Sequence, residues 1–536
     1  MPPKTKKPKP ASAASNARLL PKNGGAVVRM YRIGHGDCFL LAFTGQSPDQ
    51  PVYVLIDCGY KPGSPDKMVP PRVKNAQNIT ANIREATGGT IDVAIITHEH
   101  QDHVNGITEA NFKGINIKET WFAWTEDPKD DVANALRAKF KDKLLGLANA
   151  RQRLAAAGDD YAAKKDAATI ADFLEFELGG DEETPFNVNA VAGALGAAGQ
   201  PVSMNKKSMK IFKDRAGKVK FLLPHKEIYA LPGAKNTRVF ALGPPRDDQQ
   251  IIDVDPLHNE EFHSMGAASA VSYFASAFTH GNKSPFDEAY CIAEKDAFDD
   301  KEYGNFFSRN YGRDDNSPEP KQGDTSPVAA TKFSTNEVPG DAPWRRINGE
   351  WLYSALQLAI DVNNATNNTS LALAFELGKG GKVLLFAADA QRGNWVSWTG
   401  DEWKDGDKQV SAKELLGRTV LYKVGHHGSH NATLNGSLSD KHPNLNWMAQ
   451  GEHAAEFTAM ITAVRAWAET QKGWDHPLKA IKDALLKKCS GRVFQTDTDV
   501  KAMKMGDGEP VGNWKKFMDR VEPSPDGIYF DYHIEV

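Results

Sequence analysis

The sequence predicts an α/β protein, an αββα sandwich interrupted by a helical insertion and by a long loop-rich insertion. Three observations carry this. The stretch up to Ile107 is strand-rich with one helix. Strand-like runs and helices return in βαβ order after Trp351. Between them the composition changes twice, first to Ala, Lys, Glu and Leu, then to Gly, Pro and Asp. A sheet must bury its apolar face against another layer, so two strand-rich halves flanked by helices suggest two packed sheets with helices outside.

Residues 1–25, "MPPKTKKPKPASAASNARLLPKNGG", are rich in Pro, Lys, Ala and Ser and lack the apolar region of a signal peptide, so they are expected to form a flexible basic tail. Residues 26–128 make up the first half of the sandwich. In them "AVVRMYRIGHGDCFLLAF" alternates apolar and polar residues on both sides of "GHGD", and "VYVLIDCGY" follows, as in a hairpin and meander. Gly34 and Gly36 suit a tight backbone path. "NITANIREATGG" reads as a helix stopped by Gly88 and Gly89, and "IDVAIIT" as a buried strand. Residues 129–204 are expected to be a helical insertion of two helices.

Core strands are expected over 205–246, at "KVKFLLP" and "TRVFALGPP". Residues 247–350 form the loop-rich insertion, centred on "GRDDNSPEPKQGDTSPVAA". Residues 351–536 are the second half. There "SLALAFEL", "KVLLFAADA" and "TVLYKVGHHGSH" read as strands, and "AAEFTAMITAVRAWAETQ" and "PLKAIKDALLKKC" as helices. "RVFQTD" and the closing "GIYFDYHIEV" are strand-like.

The chain is 40% apolar and 25% charged, with a formal net charge of −4, which argues against a globally basic nucleic-acid binder but allows a local basic groove. Cys38, Cys58, Cys291 and Cys489 are far apart and lack CxxC spacing, so reduced buried thiols are expected rather than disulfides or a thiolate zinc site. No run of about 18 apolar residues could span a bilayer. A cytoplasmic protein without a membrane anchor is the expectation.

The densest chemistry lies in "TIDVAIITHEHQDHVNGI", where His98, His100, Asp102 and His103 follow an apolar strand with H-x-H-x-D-H spacing. Imidazole and carboxylate bind zinc, manganese or iron at about 2 Å, and several must converge to displace the ion's water. Alternate residues of an extended turn point the same way, so His98 and His100 can reach one ion. Asp102 and His103 are expected to begin a helix and to face a second ion. A lone surface histidine is usually inert, but a solvated surface does not account for four ligand-type residues at this spacing.

The stretch resembles the signature of the metallo-β-lactamase superfamily. That family places a GxGD hairpin and an IDxG strand before the histidine motif, and "GHGDC" with Asp37 and "LIDCG" with Asp57 stand there. A later aspartate bridging both ions matches Asp389 at the end of "KVLLFAADA", and a histidine after the next strand matches the pair His426 and His427 in "LYKVGHHGSHNAT". The combination is most similar to the branch that includes the hydrolase domain of competence DNA-uptake proteins and phosphorylcholine esterases. The resemblance covers about half the chain in four pieces and implies two divalent ions, zinc favoured and manganese the alternative. Two departures stand out. Ala388 replaces the usual Gly before the bridging aspartate, a change a slightly different turn would absorb. No histidine occurs in "VFALGPPRDD", where many members supply a further ligand, leaving His225, His258, His263 and His280 as weak substitutes.

Other residues have more than one reading. Asp57 is expected to brace the His98 loop through hydrogen bonds rather than bind metal. Asp37 is either a turn former or an active-site group. His427, beside Gly428, is favoured over His426 as ligand, with the other in substrate or proton transfer. Gly428 and Ser429 could bring backbone N–H groups to an anionic oxygen. His430 is placed outside the ligand shell or exposed, and His476 either caps a helix or faces substrate.

Two ions about 3.5–4 Å apart bring the pKa of a shared water towards about 7, so hydrolysis is the expected reaction, with Asp102, His426 and His427 as the catalytic side chains. The resemblance favours a phosphodiester substrate, nucleic acid or nucleotide. Lactone, β-lactam or thioester hydrolysis is the alternative, and a third reading is an effector subunit whose insertions dock a protein partner.

Overall fold

The computed structural model describes residues 18–22, 24–47, 50–65, 76–156, 161–179, 187, 203–262, 355–471 and 474–536. The basic tail up to residue 17, the Gly/Pro/Asp-rich tract, His263, His280 and Cys291 lie outside them.

Strands β1 (Ala26–Tyr31), β2 (Phe39–Phe43) and β3 (Val52–Ile56) form the expected antiparallel meander. The turn between β1 and β2 packs tightly: Gly36 has φ 155°, and a Cβ there would lie 2.4 Å from the Gly59 carbonyl and 2.6 Å from that of Asp102. Helix α1 (Ala76–Thr87) ends at the positive-φ Gly88 and Gly89 and leads into β4 (Thr90–Ile95), helix α2 (Gln101–Val104) and β5 (Asn116–Ala123). Then come α3 (Asp131–Ala155), α4 (Tyr161–Leu178), α5 (Met204–Arg215), β6 (Ala216–Leu222), β7 (Tyr229–Ala230), β8 (Thr237–Ala241) and α6 (Asp248–Ile251).

After the second insertion follow α7 (Ala355–Asn368), β9 (Leu373–Leu377), β10 (Lys382–Phe386), α8 (Arg392–Ser397), β11 (Glu402–Asp405), β12 (Lys408–Ser411), α9 (Ala412–Gly417) and β13 (Thr419–Lys423). The chain closes with β14 (Thr458–Ile461), α10 (Arg465–Ala468), α11 (Lys479–Lys488), β15 (Val493–Gln495), α12 (Val511–Met518), β16 (Val521–Pro523) and β17 (Tyr529–Ile534).

These strands make two mixed sheets. One has eight strands in the order β16-β17-β1-β2-β3-β4-β5-β6 and the other seven in the order β15-β14-β13-β10-β9-β8-β7, while β11 and β12 form a separate hairpin. The runs β3 to β6 and β10-β13-β14-β15 are parallel. A shared core of Phe39, Val54, Val93 and Trp121 from the first sheet with Phe375, Leu384, Leu421 and Met460 from the second packs the sheets face to face. Ile79 and Ile83 of α1 with Met209 and Phe212 of α5 cover the outer face of the first sheet. Trp395 of α8, Leu415 of α9 and Ile481 of α11 cover that of the second.

The structure differs from the sequence expectation in four places. "AAEFTAMITAVRAWAETQ" is not one helix: it opens in the last residues of a 3-10 turn, Thr458–Ile461 is a wholly buried strand, and only Arg465–Ala468 is α-helical. A short apolar run lacks a decisive period, and here parallel pairing with β13 and β15 wins. The tract from 205 expected to hold core strands opens with α5, capped by the Ser203 side chain on the Lys206 N–H. The β11–β12 hairpin and the short β16 were not expected. Finally α7, placed by sequence in the second half, shares a small core with the insertion helices, in which Leu358 and Val362 meet Leu147, Leu154, Ile170 and Leu174.

Candidate metal centre

The site forms where both sheets present the carboxyl ends of parallel strands, the usual location of sites in open α/β sheets. Asp57 follows β3, the His98–His103 loop follows β4, Asp389 follows β10, His427 follows β13 and Thr462 follows β14. His98, His100, Asp102, His103, Asp389 and His427 are all buried.

Hydrogen-bond partners assign the histidine tautomers. The Thr97 hydroxyl donates to Asp57 Oδ2 at 2.6 Å, so its oxygen accepts from His98 Nδ1–H at 3.1 Å. His103 Nδ1–H donates to Asp57 at 2.8 Å, and His427 Nδ1–H to the Thr462 carbonyl at 3.0 Å. His100 donates its Nε2–H to Glu177 Oε1 at 3.0 Å. Each ring therefore has one N–H engaged outward, and its other nitrogen faces inward. The inward His98 Nε2 and His100 Nδ1 lie 3.0 Å apart, the span of two ligands on one ion at about 2.0–2.1 Å.

The carboxylates complete the set. His427 Nε2 lies 3.1 Å from Asp102 and 3.4 Å from Asp389 Oδ2, which is 3.2 Å from His103 Nε2. Asp102 Oδ1, His103 Nε2 and Asp389 Oδ2 are buried and make no hydrogen bond. Leaving such atoms with ion-pair contacts but no hydrogen bond is costly, whereas a cation among them satisfies all three. His98, His103 and Asp389 form one convergent donor group, and Asp37, His103 and His427 another. The second is not an ion site by chemistry: it lies on the Nδ1 edges already bonded to Asp57 and Thr462, and Lys423 sits 2.5 Å from Asp37.

Electrostatics agree with this assignment. Burial opposes ionisation of Asp102, but His427 and His103 hold it well below the usual carboxylate range. Burial likewise opposes the charge on His427, yet Asp389 and Asp102 raise it to about 9. With protons in the place of cations, the carboxylates already recruit positive charge.

The remaining sequence candidates fall as follows. Asp57 braces the loop through the Thr97 N–H at 2.9 Å and His103, and the Asp37 carboxylate is buried on Lys423 and the Thr462 hydroxyl. His426 lies against the side-chain amides of Asn367 at 3.3 Å and Gln391 at 3.4 Å. The Ser429 N–H is spent on the His426 carbonyl, so it does not form the expected anion contact. His430 is exposed, while His476 stacks on His35, ring centres 5.5 Å apart. His225 pairs with Asp401 at 3.0 Å and so does not supply a further ligand. Cys38, Cys58 and Cys489 are free and buried.

Ala388 has a left-handed backbone, φ 50°, and its carbonyl accepts from the His426 N–H and from Lys423. Ala388→Gly is therefore expected to be neutral or stabilising by up to about 1 kcal/mol, and Ala388→Val to destabilise by about 1–3 kcal/mol, in denaturant unfolding. Equal stability of the glycine and valine variants would refute this.

Several site residues escaped the sequence reading. Lys423 is buried between Asp37 and Asp389 Oδ1, 3.4 Å away, leaving Oδ2 free. Its signal was a lysine within an apolar strand. Lys61, brought down to about 7 by burial, packs over the Phe176 ring, and His35 of "GHGD" lies 4.6 Å from the His427 ring. Asn363, Thr366 and Asn367 form a polar stripe on α7 facing the site, at helical spacing in "NNATNN".

A scan against protein-family models and a search among curated proteins found no match to this chain. Among the described residues no helix is long and apolar enough to cross a membrane.

Proposed function

We propose that this chain is a metal-dependent hydrolase of the metallo-β-lactamase superfamily that cleaves phosphodiesters. The observation that carries the reading is the convergence of four inward imidazole nitrogens with the Asp102 and Asp389 carboxylates, three of these atoms being buried without a hydrogen bond. The layered arrangement of two sheets between helices, with the site at the strand ends, supports the family reading, and so do the "GHGD", "LIDCG" and "THEHQDH" motifs.

His98 and His100 would hold one divalent ion, Asp102, His103 and His427 a second, and Asp389 both, with zinc favoured and manganese the alternative. When bound, such a pair makes a water nucleophilic near neutral pH and stabilises charge on the attacked phosphorus. The chain's own residues do the positioning. Asp57 and Thr462 fix the His103 and His427 tautomers, and Lys423 orients Asp389 by its outer oxygen. His426, brought to about 4 by burial, stays neutral at pH 7 and presents an uncharged ring beside the site.

The test is a substrate panel with added zinc or manganese: bis-p-nitrophenyl phosphate, single- and double-stranded DNA, RNA, cyclic nucleotides, nitrocefin and a homoserine lactone. Turnover of the phosphodiesters is expected. Turnover of nitrocefin alone would overturn the phosphodiester reading.

A further inference from the structure

We propose that Glu177, on the last turn of the insertion helix α4, is a positioning residue for the metal ligand His100, so that the α3–α4–α7 unit is part of the metal centre. This rests on the hydrolase reading above.

The Glu177 carboxylate is 3% exposed. A carboxylate near a helix C-terminus opposes the helix dipole, and burying one is expensive, so helix stability does not explain it. Its bonds do. Oε1 accepts the His100 Nε2–H at 3.0 Å and lies 3.3 Å from the Asn363 amide, while Oε2 accepts from the Thr366 hydroxyl at 3.1 Å. Asn363 and Thr366 belong to α7, so the carboxylate ties together the insertion helix, α7 and the His98–His103 loop. The neighbouring Phe176 ring stacks on His100 with centres 4.3 Å apart.

The end of α4 is itself fixed. The Asn205 amide donates to the carbonyls of Phe176 and Glu177 at 2.9 and 3.1 Å, and Gly179 takes φ 78° beyond the helix end. A carboxylate accepting the outer N–H of a ligand histidine selects the tautomer, orients the ring and raises its basicity. Here it commits Nε2 to the proton and leaves Nδ1 to face His98 Nε2. Without Glu177 the ring can rotate or exchange its tautomer, and the pair it forms with His98 is lost.

The experiment uses full-length protein and two size-matched variants. Glu177→Met keeps the volume but removes the acceptor, and Glu177→Gln keeps an acceptor oxygen. Zinc stoichiometry and affinity are read by elemental analysis after dialysis and by chelator competition, with circular dichroism checking the fold. E177M is expected to bind one of two ions about 10–100-fold more weakly, with E177Q recovering most of that affinity. E177M matching the wild type at both ions overturns the role of Glu177 alone. Wild-type protein that takes up no zinc overturns the metal-centre reading and this inference with it.

Discussion

Replacing Asp389 with alanine is expected to abolish hydrolysis, by about 10³-fold or more, and to reduce metal uptake, while leaving the fold intact. Asp389 Oδ2 faces both His103 and His427 and makes no hydrogen bond, so removing it takes away the group proposed to join two ions. Ions that stabilise the transition state contribute several kcal/mol, and each 1.4 kcal/mol is tenfold in rate. The fold is expected to survive because Lys423, which would lose Asp389, keeps Asp37 at 2.5 Å and the Ala388 carbonyl at 3.1 Å. Rate and metal content are measured on the same preparation, with the unfolding midpoint as control. An Asp389→Ala variant that retains both activity and two ions would contradict the role assigned to this carboxylate.

Replacing Arg29 with alanine is expected to destabilise the protein by about 3–5 kcal/mol without touching the site. Arg29 on β1 lies directly opposite Asp531 on β17, and the two form a bidentate pair with both contacts at 2.7 Å. Both residues are 5% exposed, and the guanidinium also donates to Asn82 of α1 and covers the Tyr529 ring at 3.5 Å. Loss of the arginine strands a buried carboxylate in the sheet that joins the two ends of the described chain. The double replacement R29M/D531L is expected to recover most of the loss, because an apolar pair leaves no unpaired charge. Denaturant unfolding measures both. A single variant as stable as the wild type would show that the pair does not brace the sheet.

Much of the donor set is legible in sequence because its chemistry is out of place there. Asp389 follows the apolar run "VLLFAA", and four ligand-type residues crowd the mouth of "IDVAIIT". A carboxylate at the end of a buried strand is costly unless a cation or a donor meets it, so its position in the sequence already points to a partner. The choice between His426 and His427 was not decidable in one dimension: both have positive φ, at 40° and 53°, and only the crossing of the two sheets shows which ring meets Asp102. Glu177 was illegible for a similar reason. "FLEFEL" reads as an ordinary helix face, and its last glutamate acquires a role only when α4 packs beside α7 and the His98–His103 loop. Among the elements, long periodic helices such as α3 were legible, whereas Thr458–Ile461 depended on neighbouring strands that sequence does not show.

The most direct measurement is the zinc and manganese content of the purified full-length protein, determined by elemental analysis as isolated and again after titration with each ion and dialysis. About two equivalents bound, falling in Asp389→Ala, is the expected result. Protein that carries no metal and takes none up on titration would contradict the metal centre and the hydrolase reading built on it.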